Sequence, residues 1–411
     1  MASDPRSFVP LDAYREGTPE AEPAAIVATP YVCRDPKSLA PRPWIYGRQL
    51  LRGSLSVVIA PGAVGKTSLM LGTALAMATG RPLLGKTTWE GPKRVWVWNL
   101  EDSLEELSKQ IEAARLHWRI DAGELADRFF VDSALDGAGL CIATEDHAGF
   151  RILEPVVEAL VNALIAREID VLIVDPFISS HSVSENNNGA IDAVAKKWAR
   201  VAVRVNCSIC LVHHTKKLNG GEASAETGRG ASALPNAARS VVALNRMSAE
   251  EAAELQVVGE DRRRFFRAYD DKNNRAPPAD KSDWYQLISV DLGNGTLERP
   301  SDQIGVVAPW SPPDAFDGVT SNHLLQIQGL IADGNYRQSE QSPDWAGFAV
   351  ASVLTLDVED RRSPAAKRAK KLLRKWLENG ALIVSKEKDV SRQERPFIRV
   401  GIPASELDAP L

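Results

Sequence analysis

The sequence predicts an α/β fold: a mainly parallel central sheet with crossover helices, then a smaller unit of three helices and two strands. Three observations carry this reading. Short apolar runs alternate with helical segments between residues 39 and 299, and several are apolar at consecutive positions, as in strands buried on both faces. The first of these runs passes through a glycine-containing bend directly into a helix. A stretch holding Pro300, Pro309, Pro312 and Pro313 then separates this block from the last 91 residues, 321–411.

In chain order, residues 1–38 are rich in Pro, Ala, Glu and Thr and read as a flexible tail with room for one ordered turn. The main domain, 39–299, carries strand candidates at 54–60, 94–100, 128–132, 170–175, 207–214 and 240–244. The stretch 265–298 reads as strands closing the sheet, with a turn at Gly293-Asn294-Gly295. Residues 300–320 are the expected linker. The unit 321–411 shows helix patterns at 321–332, 344–354 and 364–379, then strands at 381–385 and 396–400. No internal repeat is visible.

Composition sets the outer limits. A net charge of −5 excludes a polycation, so any nucleic-acid surface must be local. Apolar stretches fall short of the ~18 residues that cross a bilayer, so no membrane span is expected. The N-terminus lacks the basic-then-apolar order of a secretory signal. Four cysteines in 411 residues cannot form a disulfide framework, which points to a reducing cytoplasm. Cys207 and Cys210 have C-x-x-C spacing, but within a strand they face opposite sides and read as core residues.

The strongest motif is A-P-G-A-V-G-K-T-S, Ala60 to Ser68, with strand before and helix after. This is the context of a P-loop. Ala60, Pro61, Gly62, Ala63, Val64, Gly65, Lys66, Thr67 and Ser68 are the candidate nucleotide-binding residues. Amides at the helix N-terminus would converge on the phosphates of ATP, Lys66 would reach the β/γ oxygens, and the Thr67 hydroxyl would ligate Mg²⁺. Ala60 stands where glycine is usual, a position alanine can hold at negative φ.

D-V-L-I-V-D-P-F places Asp175 at the C-terminal end of a buried strand, the position of a Walker-B carboxylate that holds Mg²⁺ through water; a turn cap is its other reading. Pro176 follows, so no glutamate can act from the next position. V-W-V-W-N-L-E-D supplies Glu101 just past a strand end. Set beside the P-loop strand, it could polarise the water attacking the γ-phosphate. Helix capping is its alternative, although Asp102 and Ser103-x-x-Glu106 suit the cap without it. L-V-H-H-T-K-K ends a further strand with His213 and His214. Either can donate to a γ-phosphate oxygen as a sensor, or be satisfied by backbone partners.

Six pieces, in order, resemble the RepA-type hexameric replicative helicases of plasmids and phages, a group with a RecA-like fold: R-P-W-x-x-G-R-x-L, the P-loop, N-L-E-D, V-D-P-F, L-V-H-H-T-K-K and R-G-A-S-A-L-P-N-A-A-R-S, across about 42–300. The resemblance implies a RecA-like P-loop core, hydrolysis of ATP with Mg²⁺, a sensor role for the histidine pair, a homo-hexameric ring, and single-stranded DNA in its channel. Loops at Ser179–Gly189 and Leu218–Thr227, with Lys216, Lys217 and Arg229, would line that channel, or simply be solvated. Arg239 would act across a subunit boundary as an arginine finger, with an ordinary salt bridge as the other reading. Lys272 and Arg275 form a second candidate pair there.

Helix 364–379 carries Lys367, Lys370, Lys371 and Arg374 along one side. From 361 to 399 there are thirteen Lys/Arg against four Asp/Glu. With two strands following, this looks like a winged helix-turn-helix that contacts DNA or docks a protein such as a replication initiator or primase. The expected function is therefore a Mg-ATP-hydrolysing DNA motor. Its rivals are an ATP-switched DNA-binding regulator and a RecA/RadA-like recombination ATPase; no acceptor pocket or lid of a small-molecule kinase is evident.

Overall fold

The computed structural model describes residues 27–147, 149–215, 221–227, 233–255, 257, 259–277, 281–312, 314–389 and 391–405. The chain divides into two units, 1–42 and 43–411. In the first, the described residues are exposed, and the Asp35 carboxylate accepts from the Lys37 amide at 3.0 Å to start a single 3-10 turn, Pro36–Ser38.

The second unit opens with a small hairpin, β1 (Trp44–Tyr46) and β2 (Leu50–Leu51). Then come β3 (Ser54–Ala60), α1 (Lys66–Thr79), β4 (Val95–Asn99), α2 (Leu104–Trp118), α3 (Ala122–Leu125) and β5 (Phe129–Ser133). A hairpin of β6 (Ala143–Asp146) and β7 (Gly149–Ile152) precedes α4 (Glu154–Ala166), β8 (Val171–Asp175), α5 (Asn188–Val205), β9 (Ser208–His214), α6 (Ala233–Ala237), β10 (Ser240–Arg246) and α7 (Ala249–Glu254). Next are β11 (Phe265–Asn273), β12 (Asp283–Asp291) and β13 (Gln303–Pro309). The chain continues with α8 (Ser321–Asp333), α9 (Gly347–Leu354), α10 (Pro364–Glu378), β14 (Leu382–Lys388) and β15 (Glu394–Val400).

Nine strands form one sheet in the order β13-β12-β11-β10-β3-β9-β8-β4-β5. From β10 to β5 every pairing is parallel, and β11, β12 and β13 add antiparallel strands at one side. This large, mostly parallel sheet fits a P-loop NTPase core. The strands are buried on both faces because alternate residues serve two cores. In β3, Leu55, Val57 and Ile59 pack with α4 and α5, while Val58 and Ala60 pack with α1. Helix α5 shows the matching helical period: Ile191, Val194, Ala195, Trp198, Val201 and Ala202 are buried. Burying each large side chain contributes roughly 1.5–3 kcal/mol.

Two expectations need correction. Residues 303–309, assigned to the linker, are β13, paired along its whole length with β12; the proline-rich stretch misled because Pro309 sits at the strand's last position, where a missing N–H costs little. Glu101 also does not neighbour the P-loop strand. Its strand β4 pairs with β8, and β8 and β9 lie between it and β3. Sequence adjacency of helix and strand does not fix strand order, because crossovers can skip positions.

The C-terminal stretch packs α8, α9 and α10 around Trp345, Trp376, Ile327 and Leu372, with β14 and β15 as an antiparallel hairpin beside them. Ser363 caps α10 by accepting from the Ala366 amide at 3.1 Å, Pro364 occupies its first turn, and Gly380 at φ +80° follows its end. Among the described residues no helix is long and apolar enough to cross a membrane.

Candidate active site

The site forms on one row of the sheet, where parallel strands end. Ala60 of β3 is in register with His214 of β9, and Asn99 of β4 with Asp175 of β8. Strand ends of this kind leave a crevice that accepts phosphates.

The P-loop bends twice through left-handed backbone. Gly65, at φ +98°, caps α1, and a Cβ there would lie 3.3 Å from Leu287 Cδ2 and 3.4 Å from Phe266 Cε1. Only glycine suits both constraints. Ala63 also adopts a positive φ, 55°, which costs an alanine about 1 kcal/mol. Ala60 ends β3 in strand conformation, as expected for the position where glycine is usual.

Lys66 is buried, and its Nζ lies 3.0 Å from His214 Nε2 and 3.3 Å from Asp175 Oδ1. An ammonium can only donate, so Nε2 is the acceptor and the ring proton sits on Nδ1. The Thr67 hydroxyl donates to Asp175 Oδ2 at 2.9 Å. Asp175 is 2% exposed, and its Oδ1 makes no hydrogen bond among the described residues. A hydroxyl and a buried carboxylate whose Oδ1 is met by the Lys66 ammonium at 3.3 Å form a hard donor set that fits Mg²⁺. Thr67 and Asp175 would hold that ion, directly or through water.

Glu101 reaches the same place. Its Oε2 lies 3.9 Å from His214 Nε2, and the side chain is half exposed. It does not cap α2. Ser103 does so, accepting from the Glu106 amide at 3.3 Å, while Asp136 accepts from the Leu104 amide at 2.7 Å. The reciprocal half of the expected capping box is absent, since the Glu106 carboxylate accepts from Gln110 instead. Burial, then repulsion from Asp175, holds the Asp102 carboxyl above its usual range.

The two histidines separate. His214 faces Lys66, whereas His213 is 3% exposed and stacks edge-on against Phe177 at 5.8 Å. Beside it, burial and then His213 push the His181 imidazole down to about 4. Cys207 and Cys210 are both buried, and burial drives their thiols up to about 12.

Arg239 lies away from its own P-loop. Its amide donates to Leu55 O at 2.9 Å, near the start of β3, whereas the P-loop follows the strand's other end. Lys272 sits at the same edge and donates to Pro235 O at 2.9 Å and Asn236 O at 3.2 Å. Burial, then repulsion from Arg239, lowers its pKa. Arg275 follows two residues beyond β11. Arg239, Lys272 and Arg275 thus lie at the strand ends opposite the P-loop. Of the channel candidates, Lys216, Lys217 and Arg229 lie outside the described residues. The Ser179–Gly189 loop is tied down: Glu145 accepts from the Ser184 amide and from Asn187 Nδ2, both at 2.7 Å.

Two residues have roles the sequence did not suggest. The sequence places Ser68 among the nucleotide-binding residues, but its hydroxyl donates to Gly305 O at 3.0 Å and accepts from the Val307 amide at 3.1 Å, stapling β13 to α1. Arg246, at the end of β10, donates to the P-loop carbonyls Gly62 O, at 3.2 Å, and Ala63 O. The apolar run that marks this strand stops at 244. Extending it two residues would have put an arginine at a crevice-facing strand end.

Residues 22–220 match the family model described as an AAA domain, a span that includes the P-loop, Glu101, Asp175 and both histidines. Taken with the geometry above, this likeness supports an ATPase of the P-loop, AAA/RecA-like class.

Proposed function

We propose that the protein is a Mg-ATP-hydrolysing DNA motor, a ring-shaped helicase of the RepA type. The observation that carries this is the convergence of Lys66, Thr67, Asp175, His214 and Glu101 from four strand ends onto one crevice. P-loop amides and Lys66 would bind the phosphates, and Thr67 with Asp175 would hold Mg²⁺, which would supply charge neutralisation for phosphoryl transfer. Glu101 orients and polarises the attacking water. His214, touching both Lys66 and the vicinity of Glu101, is the histidine placed to sense the γ-phosphate.

A homo-hexameric ring is part of this reading, and the position of Arg239 at the opposite ends of the strands is what supports an assembly of copies. Arg239 lies too far along the sheet to reach its own P-loop, so an arginine finger there serves a neighbouring copy. Single-stranded DNA then occupies the ring channel, and the C-terminal helices and hairpin act as a winged helix. Cations on α10 and the hairpin give that unit a basic surface for duplex phosphates or for an initiator or primase.

One observation favours a regulator as a second reading. Part of the α10 basic face is already engaged: Lys367 Nζ donates to Ala253 O of α7 at 3.1 Å, Arg368 Nε to Ala315 O at 2.9 Å, and Lys370 Nζ to Arg361 O at 3.2 Å. Unwinding of a forked duplex, measured with particle size with and without ATP, separates the two. ATP-dependent unwinding by a hexamer supports the motor. ATP-dependent DNA binding with no unwinding supports the regulator.

A further inference from the structure

The turn that carries Glu101 is built around a buried amide. Asn99 ends β4 in register with Asp175 and is 2% exposed. Its Oδ1 accepts from two backbone amides, Glu101 N at 2.9 Å and Asp102 N at 2.7 Å. This is an Asx turn, in which a side-chain oxygen replaces the backbone acceptor that the bend cannot supply. The flanking residues are fixed from both neighbouring strands. Leu100 N donates to Asp175 O at 2.8 Å, and the fully buried Ser133 hydroxyl of β5 donates to Asp102 O at 2.7 Å.

Glu101 itself is loosely held. Its side chain is 52% exposed, and His214 Nε2 lies 3.9 Å from its Oε2. The carboxylate's position is therefore set chiefly by where the backbone places its Cα. We infer that Asn99 is a positioning residue, holding the Glu101 carboxylate over the crevice by fixing the turn that bears it. The inference rests on the reading of Glu101 as the group that polarises the attacking water. It assigns Asn99 no contact with nucleotide or metal. Losing the acceptor frees two amides and lets the turn relax. A displacement of about 1 Å at a catalytic group lowers turnover by as much as about 100-fold.

The test uses the full-length chain with Asn99→Ala, Asn99→Ser, Glu101→Gln and the double variant Asn99→Ala/Glu101→Gln. Serine keeps a neutral acceptor and serves as the conservative rescue. Steady-state and single-turnover ATP hydrolysis are measured, together with the affinity of a fluorescent ADP analogue and the melting temperature. Asn99→Ala is expected to lower kcat by about 10- to 100-fold, with nucleotide affinity within about threefold of wild type. Asn99→Ser is expected to recover most of the loss, and Asn99→Ala to add nothing in the Glu101→Gln background. Unimpaired turnover in Asn99→Ala, lost nucleotide affinity in both Asn99 variants, or additive losses in the double variant would each overturn the inference while leaving Glu101 as the base. Turnover retained in Glu101→Gln would overturn the reading of Glu101, and the inference with it.

Discussion

The hydroxyl of Thr67 donates to the carboxylate of Asp175 at 2.9 Å, joining the first turn of the P-loop helix to the end of a strand two places away in the sheet. The strand between them, β9, supplies His214. Residues 67, 175 and 214 are remote in sequence and meet because parallel strands end on one row.

The Thr67–Asp175 pair is the metal-holding element of this account. Thr67→Val keeps the shape and removes the hydroxyl. Its expected effect is a weakened Mg²⁺ dependence: more metal is needed for half-maximal hydrolysis, by about tenfold or more, while metal-free nucleotide binding changes little. A Mg²⁺ titration of hydrolysis and of fluorescent-nucleotide binding checks this.

The histidine pair should divide by function. His214→Gln is expected to reduce turnover by about 10- to 100-fold with little change in melting temperature, because His214 faces the crevice. His213→Ala is expected to act first on stability, since it empties a buried position against Phe177. Parallel melting curves and phosphate-release assays on the two variants read the division directly.

Gly65 is the least replaceable residue of the loop. Alanine there combines φ +98° with close approach to Leu287 and Phe266. Gly65→Ala is expected to destabilise the protein by about 1–3 kcal/mol and to abolish nucleotide binding by displacing Lys66. Chemical denaturation with and without nucleotide reports both effects.

The edge that bears Arg239 is opposite the end of β3 that feeds the P-loop, so its contribution should appear only between copies. Arg239→Ala and Lys66→Ala should each be inactive alone. Mixed and reassembled, they should recover part of the wild-type rate, because some interfaces then pair an intact P-loop with an intact arginine. Native mass spectrometry confirms that mixed particles form, and phosphate release then gives the answer.

Much of the site was legible in the sequence because local chemistry marks it. A strand, a bend and a helix around Gly62, Gly65 and Lys66 leave little structural freedom, and an aspartate closing a four-residue apolar run marks a strand end. What sequence could not supply was long-range order. Nothing in V-W-V-W-N-L-E-D says that β4 lies beside β8 and not beside β3. Nor does H-H in isolation say which ring turns toward Lys66, because that depends on the face Lys66 approaches. The role of Ser68 as a staple to β13 and the presence of Arg246 at the loop are illegible for the same reason, since their partners are backbone groups 237 and 184 positions away. Proline density over 300–320 predicts a linker, but one of those prolines, Pro309, terminates an edge strand.

The most direct measurement is Mg²⁺-dependent phosphate release from ATP by the wild type, Lys66→Ala and Glu101→Gln, with nucleotide affinity determined for all three. The account expects hydrolysis by the wild type only, impaired binding in Lys66→Ala, and near-normal binding in Glu101→Gln. Equal hydrolysis by the wild type and Lys66→Ala, or none by any of the three under all magnesium and nucleotide concentrations, would contradict it.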